Sequence, residues 1–253
     1  MSSSTTPVTC WALPATDVIA AALRRGLVAG LLAGLLAGLV ALWVGEPPIE
    51  AAIRLEEASA EDAGALPGPG GPPEFAVSRG AQRIGLVVGL GLVGLAVGAL
   101  FGVASAWAVG RVEGTAWQRS LKLGVAVLGA LVLLPALKYP PNPPAVGDPA
   151  TIALRTMLYL GLGVIGLLLA VAAWAAARQL AGSTLAPPLR QTLTGVGVVV
   201  VAAAVLLALP APAGSGDFPA ELLWSFRLGS LATQMTLYGG TALVFGLLSA
   251  RDS

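Results

Sequence analysis

Six stretches of this chain carry no charged side chain at all, and their lengths decide what it can fold into. They are Gly26–Gly45, Ile84–Gly110, Leu123–Leu137, Thr156–Ala177, Gln191–Ala211 and Leu228–Ala250. A helix needs roughly 20 apolar residues to cross the hydrocarbon core of a bilayer. Five of the runs reach that length unaided. The third is short, but Lys122 and Lys138 flank it and long cationic side chains can reach the interface from a buried stem. Pro135 sits near its end, where a kink is tolerated. The expected fold is therefore all-α, a polytopic transmembrane helix bundle of five to six spans with glycine-rich helix interfaces, forming a single domain over residues 1–253.

Composition agrees. Charged residues are 11% of the 253 and hydrophobic residues 56%, whereas a soluble domain carries about a quarter charged. The main partner of such a surface is the lipid bilayer. A net charge of +1 gives no footprint for nucleic acid. With Cys10 as the sole cysteine, no disulfide forms within the chain. Arg24 and Arg25 precede the first run, as in a signal peptide, but the run is too long and starts too late, so it reads as an uncleaved span.

Lysine and arginine in the connecting segments set the orientation. With the N-terminus inside, the inner segments hold Arg24, Arg25, Arg111, Arg119, Lys122, Arg178, Arg190 and Arg251, and the outer ones hold Arg54, Arg79, Arg83, Lys138, Arg155 and Arg227. This bias places both termini in the cytoplasm of a cell-membrane protein, with residues 1–25 as a cytoplasmic N-terminal segment. Residues 46–83 then form an outer loop. Pro47, Pro48 and Glu50 suit the first turn of a short interfacial helix there, and Gly64 to Pro73 reads as a Gly/Pro linker. Asp148-Pro149 reads as the cap and first residue of the fourth helix, and Pro219 as the first residue of the last.

Glycines recur every fourth residue in the first span, at Gly26, Gly30, Gly34 and Gly38. The second span holds Gly85 and Gly89, then Gly94, Gly98 and Gly102. Such rows let helix backbones approach closely. The partner helix lies in this chain or in a second copy, since the spacing is the same for both, and a homo-oligomer is compatible with it.

Enzymatic arrangements fail in turn. The chain has no histidine, so it lacks the commonest general base and metal ligand. No P-loop appears. Gly89-Leu-Gly-Leu-Val-Gly94 spells a dinucleotide fingerprint inside an apolar span with no strand before it, a chance match. The chain is read as a non-enzyme with no permanently bound cofactor. What remains is a set of outer carboxylates: Glu46, Glu50 and Glu57 after the first span, and Asp148, Asp217 and Glu221 on the other outer loops. Oxygen ligands attract divalent cations, and Glu46, Glu50 and Asp148 are the candidate metal contacts. The structural alternative pairs Glu50 with Arg54 at i,i+4. Gln234 is the most polar side chain well inside a span, and interhelical hydrogen bonding competes with a permeation role there.

Four polar and proline-rich blocks carry a resemblance. They are Gly45-Glu-Pro-Pro-Ile-Glu-Ala-Ala-Ile-Arg-Leu-Glu-Glu57, Val77-Ser-Arg-Gly-Ala-Gln-Arg83, Pro135-Ala-Leu-Lys-Tyr-Pro-Pro-Asn-Pro-Pro-Ala-Val-Gly-Asp-Pro149, and Phe218 to Gln234. In that order the chain resembles the CbtA family of predicted cobalt transporter subunits. The resemblance implies cobalt ion as the transported substrate, uptake that supplies cobalamin synthesis, and a small single-span partner subunit with a histidine-rich end. Glu46, Glu50, Tyr139, Asn142, Asp148, Arg227 and Gln234 are the residues expected to serve that function, with Arg227 pairing an outer carboxylate to join two loops. The competing reading is a membrane scaffold or assembly subunit without metal transport.

Overall fold

A computed structural model describes residues 15–62, 78–143, 146, 151–211, 214 and 218–251. Among them there is no strand. Eight α-helices follow in order: α1 Ala15–Val40, α2 Glu46–Asp62, α3 Arg79–Ala108, α4 Ala116–Leu128, α5 Leu134–Lys138, α6 Ile152–Ala181, α7 Pro187–Ala208 and α8 Ala220–Ala250. Two π-helical segments interrupt them, Ala41–Gly45 between α1 and α2, and Gly129–Leu133 between α4 and α5. Joined through these, the helices give 6 units long and apolar enough to cross a membrane. The third run is therefore part of a continuous Ala116–Lys138 helix that is long and apolar enough to cross.

On α1 small residues face inward and large apolar ones face outward, while Phe101 of α3, Leu162 of α6 and Phe245 of α8 are among the large apolar residues buried within the bundle. Along α1, Ala29, Ala33 and Ala37 are at most 2% exposed, while Leu32, Leu36 and Leu39 are more than half exposed. Lipid tails are as apolar as leucine, so close backbone packing drives association rather than burial of bulk. The row Gly26, Gly30, Gly34 and Gly38 lies against α3, where Gly94, Gly98 and Gly102 face it. The alanine face of α1 lies against α8, with Ala33 meeting Gly240. On the far side of α8 sits α4, where Ser120 donates a buried 2.6 Å hydrogen bond to the Ala242 carbonyl. Then α6 packs on the Gly129–Leu133 segment, and α7 packs on α6 with no buried residue of its own. Each of these pairs runs antiparallel, so α1 starts and α8 ends at the same end of the bundle.

Two boundaries differ from the sequence reading. The first helix begins by Ala15, so Arg24 and Arg25 sit within it rather than in a separate leading segment. The outer-loop helix does exist, but it continues α1 without a turn. Prolines explain the continuity. A proline ring clashes with the carbonyl four residues back and removes a donor. At both π segments the residue just before a proline bonds one residue further back: Glu46 N–H to the Ala41 carbonyl, and Leu134 N–H to the Gly129 carbonyl. The helix widens by a residue instead of stopping. At the far end, Pro219 caps α8 instead of opening it, and Thr151 caps α6. Asp148, Asp217 and the 64–73 linker lie outside the described residues.

Candidate functional site

Glu46 and Glu50 stand one turn apart on α2, so both carboxylates share a face. Arg79 and Arg83 stand one turn apart at the start of α3, which Ser78 caps by accepting the Ala81 amide hydrogen at 3.3 Å. The two faces meet. Arg79 donates to Glu46 at 3.1 Å, and Arg83 Nε donates to the same Glu46 oxygen at 3.2 Å. Arg83 also donates to Glu50, and Arg79 stands 3.8 Å from it. The Glu46 side chain is only 12% exposed, against 45% and 47% for the two arginines. The covered carboxylate is thus the centre of the cluster and the guanidiniums are its screened rim. Glu50 reaches Arg54 as well, but only at 4.0 Å, so its principal partners come from α3. Two positive and two negative charges leave no surplus negative charge for a metal ion. A cation approaching Glu46 would compete with the two guanidiniums that share its Oε2.

Beneath this cluster the backbone is opened. The Trp43 carbonyl has Pro47 and Pro48 at the two positions that could donate to it along the helix, and prolines have no N–H. The Val44 carbonyl lies over Gly229 of α8, where an added Cβ would come within 2.9 Å of it. The second π segment repeats the arrangement. Gly166 of α6 leaves room for Ala130, whose carbonyl a Cβ there would meet at 2.6 Å. Pro135 deprives the Leu131 carbonyl of its usual donor, and the Tyr159 hydroxyl lies 3.4 Å from that oxygen. The same hydroxyl is 3.2 Å from Gln234 Oε1, and Gln234 Nε2 donates to Ser230 Oγ at 3.2 Å. Gln234 is therefore part of a polar chain that links α8, α6 and the third span. Bulges of this type often mark functional positions.

The remaining sequence candidates tie loops together at the Glu46 end. Arg227, inside α8, donates to Asn142 Oδ1 at 2.9 Å. Among the described residues its partner is thus an amide, because the proline-rich segment after α5 carries Asn142 to it, while the outer carboxylates Asp148 and Asp217 lie outside those residues. Tyr139, buried, donates its hydroxyl hydrogen to the Pro210 carbonyl at 2.9 Å. Arg227→Ala should cost about 1.5–3 kcal/mol, the usual range for a hydrogen bond to a charged group. Thermal unfolding in detergent would read this. An Asn142→Ala, Arg227→Ala double variant should be little worse than Arg227→Ala alone, and additive losses would show that the two do not act as a pair.

Sequence reasoning missed Arg79 and Arg83 as the partners of Glu46 and Glu50, and Tyr159 as the partner of Gln234. The i,i+4 spacing of the two arginines was the available signal. Among the described residues, no group of three or more Cys, Asp or Glu side chains is placed to hold a metal ion.

Six membrane-length helices, with small residues inward along α1 and large apolar side chains exposed, define a polytopic helical membrane protein. The family model described as probable cobalt transporter subunit (CbtA) matches residues 19–250. The chain belongs to that family, and so is a membrane transport subunit. No curated protein and no solved structure matches it.

Proposed function

We propose that this chain provides the route by which cobalt ion crosses the cell membrane, with entry at the Glu46 end. That end faces outward and both termini lie in the cytoplasm. The reading rests on one observation: Glu46, the most covered carboxylate of the ion-pair cluster, sits where the first span opens into α2, directly against the start of α3. Arg79 and Arg83 hold the entrance closed, and an arriving divalent cation competes with them for Glu46 and Glu50. Asn142, Arg227 and Tyr139 fix the surrounding loops, Asp148 adds a further oxygen ligand, and Gln234 with Tyr159 lines the way inward.

A partner subunit completes the machinery. Divalent cobalt favours imidazole alongside oxygen, and this chain has no histidine, so a small single-span subunit with a histidine-rich end supplies the nitrogen ligands. No chemical transformation is involved, so the chain needs no catalytic residue.

Cobalt accumulation in cells expressing this chain, with and without such a partner, tests the reading. Accumulation should rise several-fold with both subunits and little with either alone. Equal accumulation with and without this chain would end the proposal, leaving a scaffold role as the better account.

A further inference from the structure

Two tryptophans meet at the end of the bundle opposite Glu46. Trp107, near the end of α3, and Trp174, near the end of α6, touch edge to face with ring centroids 5.4 Å apart. Each is followed four residues on by an arginine, Arg111 in the turn after α3 and Arg178 in the last turn of α6. The Arg111 guanidinium lies 5.2 Å from the Trp107 ring centroid, and the Arg178 guanidinium 5.1 Å from that of Trp174. A cation over an indole uses the face of its own plane and keeps N–H donors for a further acceptor. Arg111 gives one of its donors to the Trp107 carbonyl at 3.0 Å. Among the described residues neither guanidinium forms an ion pair, although Glu113 follows Arg111 by two residues.

Toward the middle of the membrane the same faces turn apolar. On α3, Leu100 and Val103 precede Trp107 at steps of three and four residues, and on α6, Leu167 and Val171 precede Trp174 at steps of four and three. Such steps keep side chains on one face of a helix, and all four aliphatic side chains are exposed. The helices α3 and α6 each touch α4 but scarcely touch one another. The tryptophan pair therefore bridges a furrow that is open to lipid along its length.

We infer that this furrow between α3 and α6 holds an anionic phospholipid, with its headgroup phosphate met by Arg111 and Arg178 and an acyl chain along Val103 and Val171. The order apolar, indole, guanidinium along both helices follows the order acyl chain, glycerol, phosphate in the lipid. Tryptophan favours the headgroup level, cations beside it attract anionic headgroups, and guanidiniums match phosphate oxygens in geometry as well as charge. A second copy seated here by two-fold symmetry would bring its own Arg111 and Arg178 against these, and like charges brought together across an interface repel.

Purified full-length protein in neutral detergent would be titrated with phosphatidylglycerol and with phosphatidylcholine of the same acyl chains, and bound lipid read by native mass spectrometry. The protein should retain phosphatidylglycerol saturably and several-fold better than phosphatidylcholine. Equal retention of the two overturns the site without recourse to any variant. An Arg111→Gln, Arg178→Gln variant should bind phosphatidylglycerol about tenfold more weakly, a loss of roughly 1.4 kcal/mol, and should lose the preference. An Arg24→Gln, Arg251→Gln variant removes the same charge from exposed positions at the same end and should bind as wild type. Equal losses in these two variants would mean diffuse charge attraction and no site. A Trp107→Ala, Trp174→Ala variant should lose affinity for both lipids, whereas Trp224→Ala, exposed at the opposite end, should not. Equal affinities in those two would reduce the pair to ordinary interfacial tryptophans and overturn the proposal. Saturable binding of sodium phosphate alone, as tight as that of the lipid, would assign the guanidiniums to a soluble anion instead. Dimers that dissociate in the Arg111→Gln, Arg178→Gln variant while its bound lipid stays unchanged would assign the face to a second copy, and the lipid would be ruled out.

Discussion

Replacing Gly30 with leucine is expected to abolish recovery of folded, monodisperse protein from detergent extracts. At this position α1 and α3 meet backbone to backbone. A Cβ on Gly30 would overlap the Gly94 carbonyl oxygen and come within 2.7 Å of the Gly98 Cα. The relation is mutual, since a Cβ on Gly94 would meet the Gly30 carbonyl and the Gly34 Cα at 2.8 Å. No flexible side chain lies between to give way, so one helix must move. Over-packing a tight interior usually costs about 1–3 kcal/mol, and more where backbone has to shift. Net stabilities of folded proteins are only about 5–15 kcal/mol, so a cost at or above the top of that range removes much of the margin. Gly85→Leu and Gly89→Leu serve as controls on the partner helix. A Cβ at either position meets nothing within 4 Å, and both variants should behave as wild type in size-exclusion profiles. If Gly30→Leu and Gly85→Leu gave the same profile, close packing of α1 on α3 would not be what holds these helices together.

Those controls show how far the sequence could be read. Runs of uncharged residues located every span, because length and hydropathy are local properties. Glycine spacing marked which helices approach closely, but it could not say which glycines face the partner. Gly85 and Gly89 share the four-residue spacing of Gly94, Gly98 and Gly102. The five-residue step from Gly89 to Gly94 turns the row by about 140° around a helix of 3.6 residues per turn, and the first two glycines face away. Proline favours the first turn of a helix, so Pro47 and Pro48 predict a helix start. The apolar run before them kept the chain helical, and the backbone absorbed the missing donors in a π turn. The pairing of Glu46 with Arg79 and Arg83 joins residues 33 and 37 positions apart. No periodicity reaches that far, and only the third dimension shows that Glu46 and Glu50 already have cationic partners. Charge alone predicts a carboxylate partner for Arg227, and among the described residues geometry supplies Asn142.

Charge exchange at that cluster should separate a tie from an ion entrance. Glu46→Arg alone would add a fourth guanidinium to Arg54, Arg79 and Arg83 around the single carboxylate of Glu50. Both folding yield and cobalt uptake should fall. Exposed pairs contribute only about 0.2–1 kcal/mol each, but Glu46 is the covered member, so its reversal should matter more than that of Glu50. Adding Arg83→Glu restores two charges of each sign in nearly the same places. The Glu46→Arg, Arg83→Glu variant should recover wild-type extraction and thermal stability. If Glu46 contacts the passing ion, this rescued variant should still take up cobalt about tenfold more slowly or worse, which corresponds to roughly 1.4 kcal/mol added to the barrier. The carboxylate would be present but on α3, away from the opened end of the first span. Full uptake in the exchanged protein would show that the cluster needs only balanced charge, and the entrance would have to be sought elsewhere in the molecule. Persistent loss of uptake in a stable protein would instead tie the position of the Glu46 oxygens to the path of the ion, which is what a guanidinium-guarded entrance requires.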